Sequence, residues 1–583
     1  MKSSKSIVDS YLKKEDWRVN ENSNSPFSFG GLNKYITAEV SKDYWLREVY
    51  PEEISKAYVD GYIHLHDLGG LSLYCNGYSL RDVLMKGVRG IPNIPTSAPA
   101  KHFDSVLNQL ANLVTIFQNE IMGAVAFNSF DTLLAPFIKK DGLSYDEVKQ
   151  NMQNFIYSIN SNSRAGAEPA FSNLTFDLTP PEDLLDDFVI IGGKLDDFTY
   201  GECQHEMDML NRSFFEIMLE GDAEGKLFAY PIPTYNIHKR FDWDNPNNDL
   251  LWELTGKFGT PYFANFINSD MDVSDVRSMC CRLRLNLAEL RRRNGGLFGA
   301  GDSTGSIGVV TINLPRIAYE NRGDTGGFWK SLDYYLDVAK NSLMIKRKWL
   351  QENVLNTKAI PAFIEYVGTL DNHFSTIGVI GMNECCENFL GVDIVDPEGK
   401  QFALDIGDHI RNKLLEYQDS CGCLFNFEAT PAESVCYRFA LKDKKDYPDI
   451  FTQGSGQDCY YTNSCHIPVK DITSINDTFA HQEALQTQFT GGTVIHCYLE
   501  GGISGEQAKA IVRAMNEKYR VPYMSLSPIS RYCETHGYVS EHVDICPKCG
   551  KRLKKYQRIT GYLRCVDNFN KGKRAEFNDR KQL

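Results

Sequence analysis

The sequence predicts an α/β fold in which strands alternate with long helical segments. Three observations carry this. Short apolar runs occupy residues 308–314 (Gly-Val-Val-Thr-Ile-Asn-Leu), 362–367, 424–428 and 493–499, the length and composition of buried strands. Residues 328–352, 405–419 and 504–519 read as helices between them. The chain has 583 residues, 42% of them hydrophobic, and shows no internal repeat, low-complexity tract or clear boundary before about residue 525. Strands separated by helices give an α/β barrel or a doubly wound sheet. The pattern alone does not choose between them.

Taken in order, residues 1–14 are polar and charged, with no apolar core of a signal peptide. Residues 21–24 and 29–33 are rich in Asn, Ser and Gly and predict turns. Helical patterns follow at 38–46 and 51–60. Residues 61–67 and 71–77 are short, half apolar and bounded by glycine, which predicts strand plus loop. Residues 104–122 place Val106, Leu107, Leu110, Leu113, Phe117 and Ile121 at helical spacing. That stripe faces either the core or the same helix of a second subunit. Residues 152–163 read as helix and 169–178 as a buried strand leaving a loop.

Composition excludes several classes. The net charge is −14 and the basic residues are scattered, so no stripe exists to neutralise a nucleic-acid backbone. No apolar run is long enough for a membrane span. Sixteen cysteines, several adjacent, in a chain of this length fit a reducing compartment better than a disulfide scaffold. The expectation is a cytoplasmic protein that binds neither nucleic acid nor membrane.

The last fifty residues carry the densest chemistry. Cys533 and His536 form one short pair, and Cys546 and Cys549 another. Three thiolates and one imidazole in two such pairs suit tetrahedral Zn²⁺ with all four positions filled by protein, which is a structural site. His542 is a rival to His536, and an iron–sulfur cluster is the other metal reading. Lys548, Lys551, Arg552, Lys554 and Lys555 make the segment locally basic, but the acidic remainder argues against a nucleic-acid module. Directly after comes Arg558-Ile559-Thr560-Gly561-Tyr562-Leu563. Without context Gly561 is a turn or bulge glycine. Upstream, Ser278-Met279-Cys280-Cys281 is a vicinal thiol pair, which spacing alone reads as two buried small residues or as a reactive site. Cys385-Cys386 is a competing pair at a helix start. His64 and His66 share one strand face and read as a structural pair. Two glycine-rich stretches, 303–308 and 490–493, lack the Gly-Lys-Ser/Thr of a phosphate-binding loop.

The segment from Cys533 through Gly561-Tyr562 to Asn568-Phe569-Asn570-Lys571-Gly572-Lys573 resembles the C-terminus of anaerobic (class III) ribonucleotide reductases, which are glycyl-radical enzymes. The resemblance extends over roughly residues 22–581, including Pro431-Ala432-Glu433 and 460–469. It implies a ten-stranded α/β barrel of two parallel halves, with a C-terminal zinc site and a glycyl-radical loop. It also implies a division into a catalytic barrel at 1–525, with dimerisation and effector helices near 100–160, a zinc segment at 526–556, and the glycine loop and tail at 557–583.

By the same resemblance, Gly561 carries the stable radical, made by a separate iron–sulfur activase that uses S-adenosylmethionine. Cys281 is the thiyl cysteine, with Cys280 as the fallback. Cys75 is the second active-site cysteine, Met279 lies near the substrate, and Asn313 hydrogen-bonds a ribose hydroxyl, although a strand-end asparagine also serves as a turn cap. The implied activity is reduction of ribonucleoside triphosphates to deoxyribonucleoside triphosphates, with formate as reductant, deoxynucleotides and ATP as effectors, and a homodimeric enzyme. A departure accompanies it. The pattern begins near Asn22 and leaves no room for the N-terminal ATP cone of many relatives, as in a phage-like form. Two other classes share part of the pattern. A glycyl-radical acyl lyase shares the glycine and the vicinal cysteines, and a zinc-containing binding protein shares only the metal pairs.

Overall fold

Two parallel half-barrels set back to back account for most of the chain. The computed structural model describes residues 3–16, 19, 27–161, 168–269 and 303–583. The first half holds β1 (Cys75–Tyr78), β2 (Val125–Phe127), β3 (Ser172–Phe176), β4 (Ile232–Ile237) and β5 (Tyr262–Asn265), each parallel to the next. The second holds β6 (Thr304–Asn313), β7 (His373–Ile380), β8 (Phe425–Glu428), β9 (Ile495–Leu499) and β10 (Tyr523–Pro528). In it β6, β7 and β8 run parallel, as do β9 and β10.

The halves meet antiparallel at two seams, β1 against β6 and β5 against β10. The path β8-β7-β6-β1-β2-β3-β4-β5-β10-β9 has ten strands. Its two ends are joined by a parallel bridge between Glu428 and Gly491, so the sheet closes. A short strand, Ile63–Leu65, adds to the outer length of β6. Because the seams are antiparallel, the first-half strands begin at the end of the barrel where β6, β7 and β8 finish.

Every residue of β6 and β7 is buried. Strands covered on both faces show no alternation, and β7 (His-Phe-Ser-Thr-Ile-Gly-Val-Ile) mixes buried polar with apolar residues. That mixture hid it from the hydrophobic pattern. Conversely, 362–367 was expected as a strand and is the helix Pro361–Tyr366. Proline occupies its first turn, and the Glu120 carboxylate accepts from the backbone N–H of Ala362 at 2.9 Å and of Phe363 at 2.7 Å. A proline and an anionic cap at a helix start outweigh a six-residue apolar run.

The helix expected at 104–122 is Phe103–Gln118, and its apolar stripe is spent in the core. Phe117 stacks on Tyr78 with centroids 3.6 Å apart and meets Tyr366 edge-on at 5.4 Å. Of the two faces open to that stripe, it takes the core.

The chain ends in a separate four-stranded antiparallel sheet. It contains β11 (Ser530–Cys533), β12 (Gly537–Val539), β13 (Lys554–Arg558) and β14 (Leu563–Cys565), in the order β12-β11-β13-β14. β13 crosses the expected boundary at 556/557, so the metal segment and the glycine hairpin share one sheet. Among the described residues, no helix is long and apolar enough to cross a membrane.

The seam between β1 and β6 depends on a missing side chain. A Cβ placed on Gly305 meets the Cys75 carbonyl oxygen at 2.1 Å and the Asn76 Cα at 3.0 Å. Both obstacles are backbone and cannot swing aside. Gly305→Ala is expected to destabilise the protein by about 1–3 kcal/mol, the usual range for overpacking. A urea unfolding midpoint equal to wild type removes the seam from this role.

Candidate active site and metal centre

Cys533 ends β11, His536 sits in the turn to β12, and Cys546 and Cys549 lie in the loop before β13. Their four ligand atoms all lie within 4.8 Å of one another. Cys533 Sγ is 3.6 Å from Cys549 Sγ and 3.7 Å from His536 Nδ1, and Cys546 Sγ is 3.5 Å from His536 Nδ1. A tetrahedron with metal–sulfur bonds of about 2.3 Å has edges of roughly 3.8 Å, so these residues fit an ion such as Zn²⁺ at their centre. The backbone N–H of Thr535 is the chief cause that lowers the Cys533 thiol to about 6, which favours the thiolate ligand. His542 is not in the group. Its ring fills the space over Gly501, 1.9 Å from where a Cβ would stand, and so packs the metal loop on the turn after β9. The basic residues are partly neutralised locally, Lys554 by Glu534 at 2.5 Å and Lys555 by Asp544 at 2.8 Å.

From this sheet, β13 and β14 project a four-residue hairpin, with Gly561 third in the loop. The Ile559 N–H donates to the Tyr562 carbonyl at 3.0 Å. The hairpin is fastened by Arg558, which is 1% exposed. Its Nη2 donates to the carbonyls of Gly259 and Thr260, both at 2.7 Å, just before β5. Its guanidinium lies 3.9 Å from the centroid of the Tyr262 ring. A second arginine reaches back from beyond the tail helix Lys571–Asp579. Arg580 donates to the Arg558 carbonyl at 2.8 Å and the Ile559 carbonyl at 3.1 Å, and to Glu576 at 2.9 Å. Tyr562 meets Phe171 edge-on at 6.1 Å, immediately before β3. Gly561 therefore sits at the end of the barrel where the first-half strands start.

Gly561 has no conformational or steric need to be glycine. It is not among the glycines with positive φ. A Cβ built on it meets only Glu433 Oε1, at 4.0 Å. Its N–H donates to Glu433 Oε1 at 3.3 Å, and its carbonyl accepts from the Tyr262 hydroxyl and, at 3.5 Å, from Arg558 Nη1. The bland reading of a turn glycine does not apply.

Cys75 opens β1 and is 1% exposed. It lies opposite Ser306 of β6, at the edge of a buried polar row. Ser306 Oγ and Thr376 Oγ1 are 2.7 Å apart, and Thr376 donates to Asn426 at 2.7 Å. Beside them His373 Nε2 meets Asn76 Oδ1 at 2.7 Å. Burial lowers the His373 imidazole to about 3, so it is neutral. Such a row, crossing β6, β7 and β8 beside a thiol, suits a polar, hydroxylated ligand.

Asn313 is not brought to Cys75. It lies seven positions beyond Ser306 on β6, roughly 23 Å at about 3.3 Å per residue. Its Nδ2 donates to the Gly61 carbonyl at 2.9 Å and to Asp443 at 2.7 Å, and its Oδ1 accepts from the Arg316 N–H. The carboxamide expected to meet a ribose is committed to a helix cap and a buried network with Arg316 and Tyr461. Met279, Cys280 and Cys281 lie outside the described residues. In chain order their segment joins β5 to β6. His64 and His66 stack edge to face at 4.7 Å, with Arg438 on one and Thr311 on the other, a structural pair as expected. Cys385 and Cys386 are buried in the helix Met382–Phe389.

Sequence reasoning missed Tyr262, Glu433, Arg558 and Arg580 as side chains that hold the hairpin. Glu433 and Arg558 lay within stretches noted for resemblance. Tyr262 carried no local signal.

A closed ten-stranded barrel of two parallel halves is a fold this chain shares with solved anaerobic ribonucleotide reductases. The Thermotoga maritima enzyme, solved in complex with dATP and CTP, superposes with a TM-score of 0.75 at 23% identity, covering 98% of this chain and 94% of that one. The chain belongs to the family of anaerobic ribonucleoside-triphosphate reductases, whose family model matches residues 21–583. It is 25% identical to the Salmonella typhimurium anaerobic ribonucleoside-triphosphate reductase over 96% of this chain and 83% of that protein. It is 23% identical to the enzyme of that name from Enterobacteria phage T4, over 96% of each. The activity is thus that of an oxidoreductase acting on ribonucleoside triphosphates.

Two outcomes follow from this geometry. Cys546→Ser, which removes one ligand, is expected to leave well under half the wild-type zinc after dialysis and to lower the thermal midpoint, read by metal analysis and calorimetry. Full zinc retention excludes Cys546 as a ligand. Glu576 supplies a pH test. Burial pushes its carboxyl up, but Lys573 and Arg580 outweigh burial and hold it below its ordinary 4.5. Its contribution is present above that value and is lost as pH falls through the lower folded value. Protection factors of the tail-helix amides, corrected for intrinsic exchange at each pH, are expected to fall below pH 4.5 and to fall less in Glu576→Gln; identical acid profiles remove Glu576 as the cause.

Proposed function

We propose that this chain reduces ribonucleoside triphosphates by radical relay, with Gly561 as the store of the unpaired electron. The observation that carries this reading is that Gly561 is glycine where neither φ nor packing asks for one. A backbone radical does ask for it. A hydrogen on Cα must be removable, and the radical carbon must lie flat between its amide nitrogen and carbonyl, which a side chain would crowd.

In this reading a separate radical activase, using an iron–sulfur cluster and S-adenosylmethionine, removes one Cα hydrogen from Gly561. Gly561 then takes hydrogen from Cys281, so that a C–H bond forms and an S–H bond breaks. The Cys281 thiyl takes the C3′ hydrogen of the ribonucleotide. The 2′-hydroxyl leaves as water, and Cys75, on the opposite face, supplies hydrogen. Formate closes the balance: ribonucleotide, formate and a proton give deoxyribonucleotide, carbon dioxide and water. The same resemblance assigns Met279 to the neighbourhood of the substrate. Zn²⁺ held by Cys533, His536, Cys546 and Cys549 stiffens the sheet that carries the hairpin. Deoxynucleotide and ATP effectors belong to the same reading, which the dATP and CTP held by the Thermotoga maritima enzyme support; a homodimer is part of it by resemblance alone.

Gly561→Ala separates the chemical role from a structural one. Its Cβ has open space, so stability is expected within about 1 kcal/mol of wild type. Activity with any ribonucleoside triphosphate plus formate, and the doublet in electron paramagnetic resonance after anaerobic activation, are expected to vanish. A folded Gly561→Ala protein that retains turnover ends the proposal.

A further inference from the structure

Both peptide groups that flank the Gly561 Cα are held by side chains, and those side chains come from opposite halves of the barrel. The N–H faces Glu433 Oε1 at 3.3 Å, and the carbonyl faces the Tyr262 hydroxyl. Tyr262 is the first residue of β5. Glu433 is the first residue of the helix that follows β8, and the residue before it, Ala432, has φ of 33°. A non-glycine residue rarely occupies that left-handed region. Here it turns the chain so that the glutamate heads the helix beside the hairpin. Arg558 lies over the Tyr262 ring and fixes its plane.

We propose that Tyr262 and Glu433 tune the Cα–H bond of Gly561. This rests on the radical reading above and adds to it the residues that set how easily the radical forms and how long it lasts. An unpaired electron on Cα is stabilised when the amide nitrogen gives density and the carbonyl withdraws it. A carboxylate that accepts the N–H proton increases the giving. A hydroxyl that donates to the carbonyl increases the withdrawal. Both act in place before the reaction, with no reorganisation at the moment of transfer. The step they favour is balanced: the Cα–H bond of Gly561 breaks, and the hydrogen atom forms a new C–H bond on a primary alkyl radical made by the activase from S-adenosylmethionine.

The two contacts act on the ends of one conjugated unit, so they reinforce each other. They also explain why the hairpin is tied down at both sides. A loop free to rotate would lose the alignment with either half.

The test is anaerobic activation of full-length wild type, Tyr262→Phe, Glu433→Ala and Glu433→Gln, read by electron paramagnetic resonance. Zinc content and thermal midpoint establish that each variant is folded. Loss of either bond is expected to lower radical yield about fivefold, from the usual worth of one hydrogen bond. It is also expected to widen the α-proton splitting, because more spin stays on Cα. Glu433→Gln keeps an oxygen acceptor and is expected to restore the splitting toward wild type. A purely structural role does not move the splitting.

A wild-type doublet with unchanged splitting and decay in Tyr262→Phe and Glu433→Ala overturns this inference and leaves the radical reading standing. Absence of any doublet in activated wild type overturns the radical reading itself, and this inference with it. Where a variant yields too little radical to measure, the Gly561 amide resonance of the unactivated protein, identified by its loss in Gly561→Ala, takes its place. An upfield shift in Glu433→Ala supports the inference, and an unmoved resonance overturns it.

Discussion

The Arg558 guanidinium is the interaction on which the site depends. It is a full charge at 1% exposure, and a charge so placed is costly unless it is hydrogen-bonded or paired. Two carbonyls ahead of β5 and the ring of Tyr262 answer it. A hydrogen bond to a charged group is worth about 1.5–3 kcal/mol, so this one side chain holds the hairpin against the barrel more firmly than the hairpin's own backbone bond. The constraint runs both ways. The guanidinium is consumed by the first half-barrel, and the backbone carbonyl of the same residue is met by Arg580 from the tail. The tail is therefore part of the site and not an appendage.

The same logic explains the buried triad behind the hairpin. Lys573 and Arg580 both contact Glu576, and all three are nearly inaccessible. Removing Glu576 leaves two buried cations without their shared anion, which is far more damaging than never having buried the set. The arrangement makes the tail's position all-or-none. Either the three charges meet and the hairpin is clamped, or the tail is hydrated and the clamp is absent.

What could be read from the sequence was what is written locally. The metal ligands fall in two short pairs, so their chemistry and spacing sit within 17 residues of chain, and the structure gathers the same four. Long apolar strands such as β6 were visible because burial on both faces leaves a continuous run. Hidden were features made by distant partners. Tyr262 and Gly561 are 299 positions apart, and Glu433 and Gly561 128. No window on the sequence joins them. Asn313 shows the ambiguity from the other side. A polar residue at a strand end suits a ligand contact or a helix cap equally well, and only the neighbours Gly61, Asp443 and Arg316 decide for the cap. The helix at Pro361–Tyr366 was misread for the same reason, since its cap comes from Glu120.

The antiparallel seams give these particulars their common cause. A barrel of ten uniformly parallel strands would put all strand starts at one end and all strand finishes at the other. Here the first half starts where β6, β7 and β8 finish, so one mouth of the barrel collects both kinds of terminus. A strand start offers Tyr262, with its hydroxyl donor. A strand finish leads into a helix that begins with Glu433, an acceptor. A peptide needs one of each, on opposite sides, to be gripped by both its N–H and its carbonyl. Two half-barrels in opposite directions supply that pair from rigid elements, and a hairpin brought in by Arg558 occupies the space between. On this view the seam that excludes a Cβ at Gly305 and the grip on Gly561 are consequences of one topological choice.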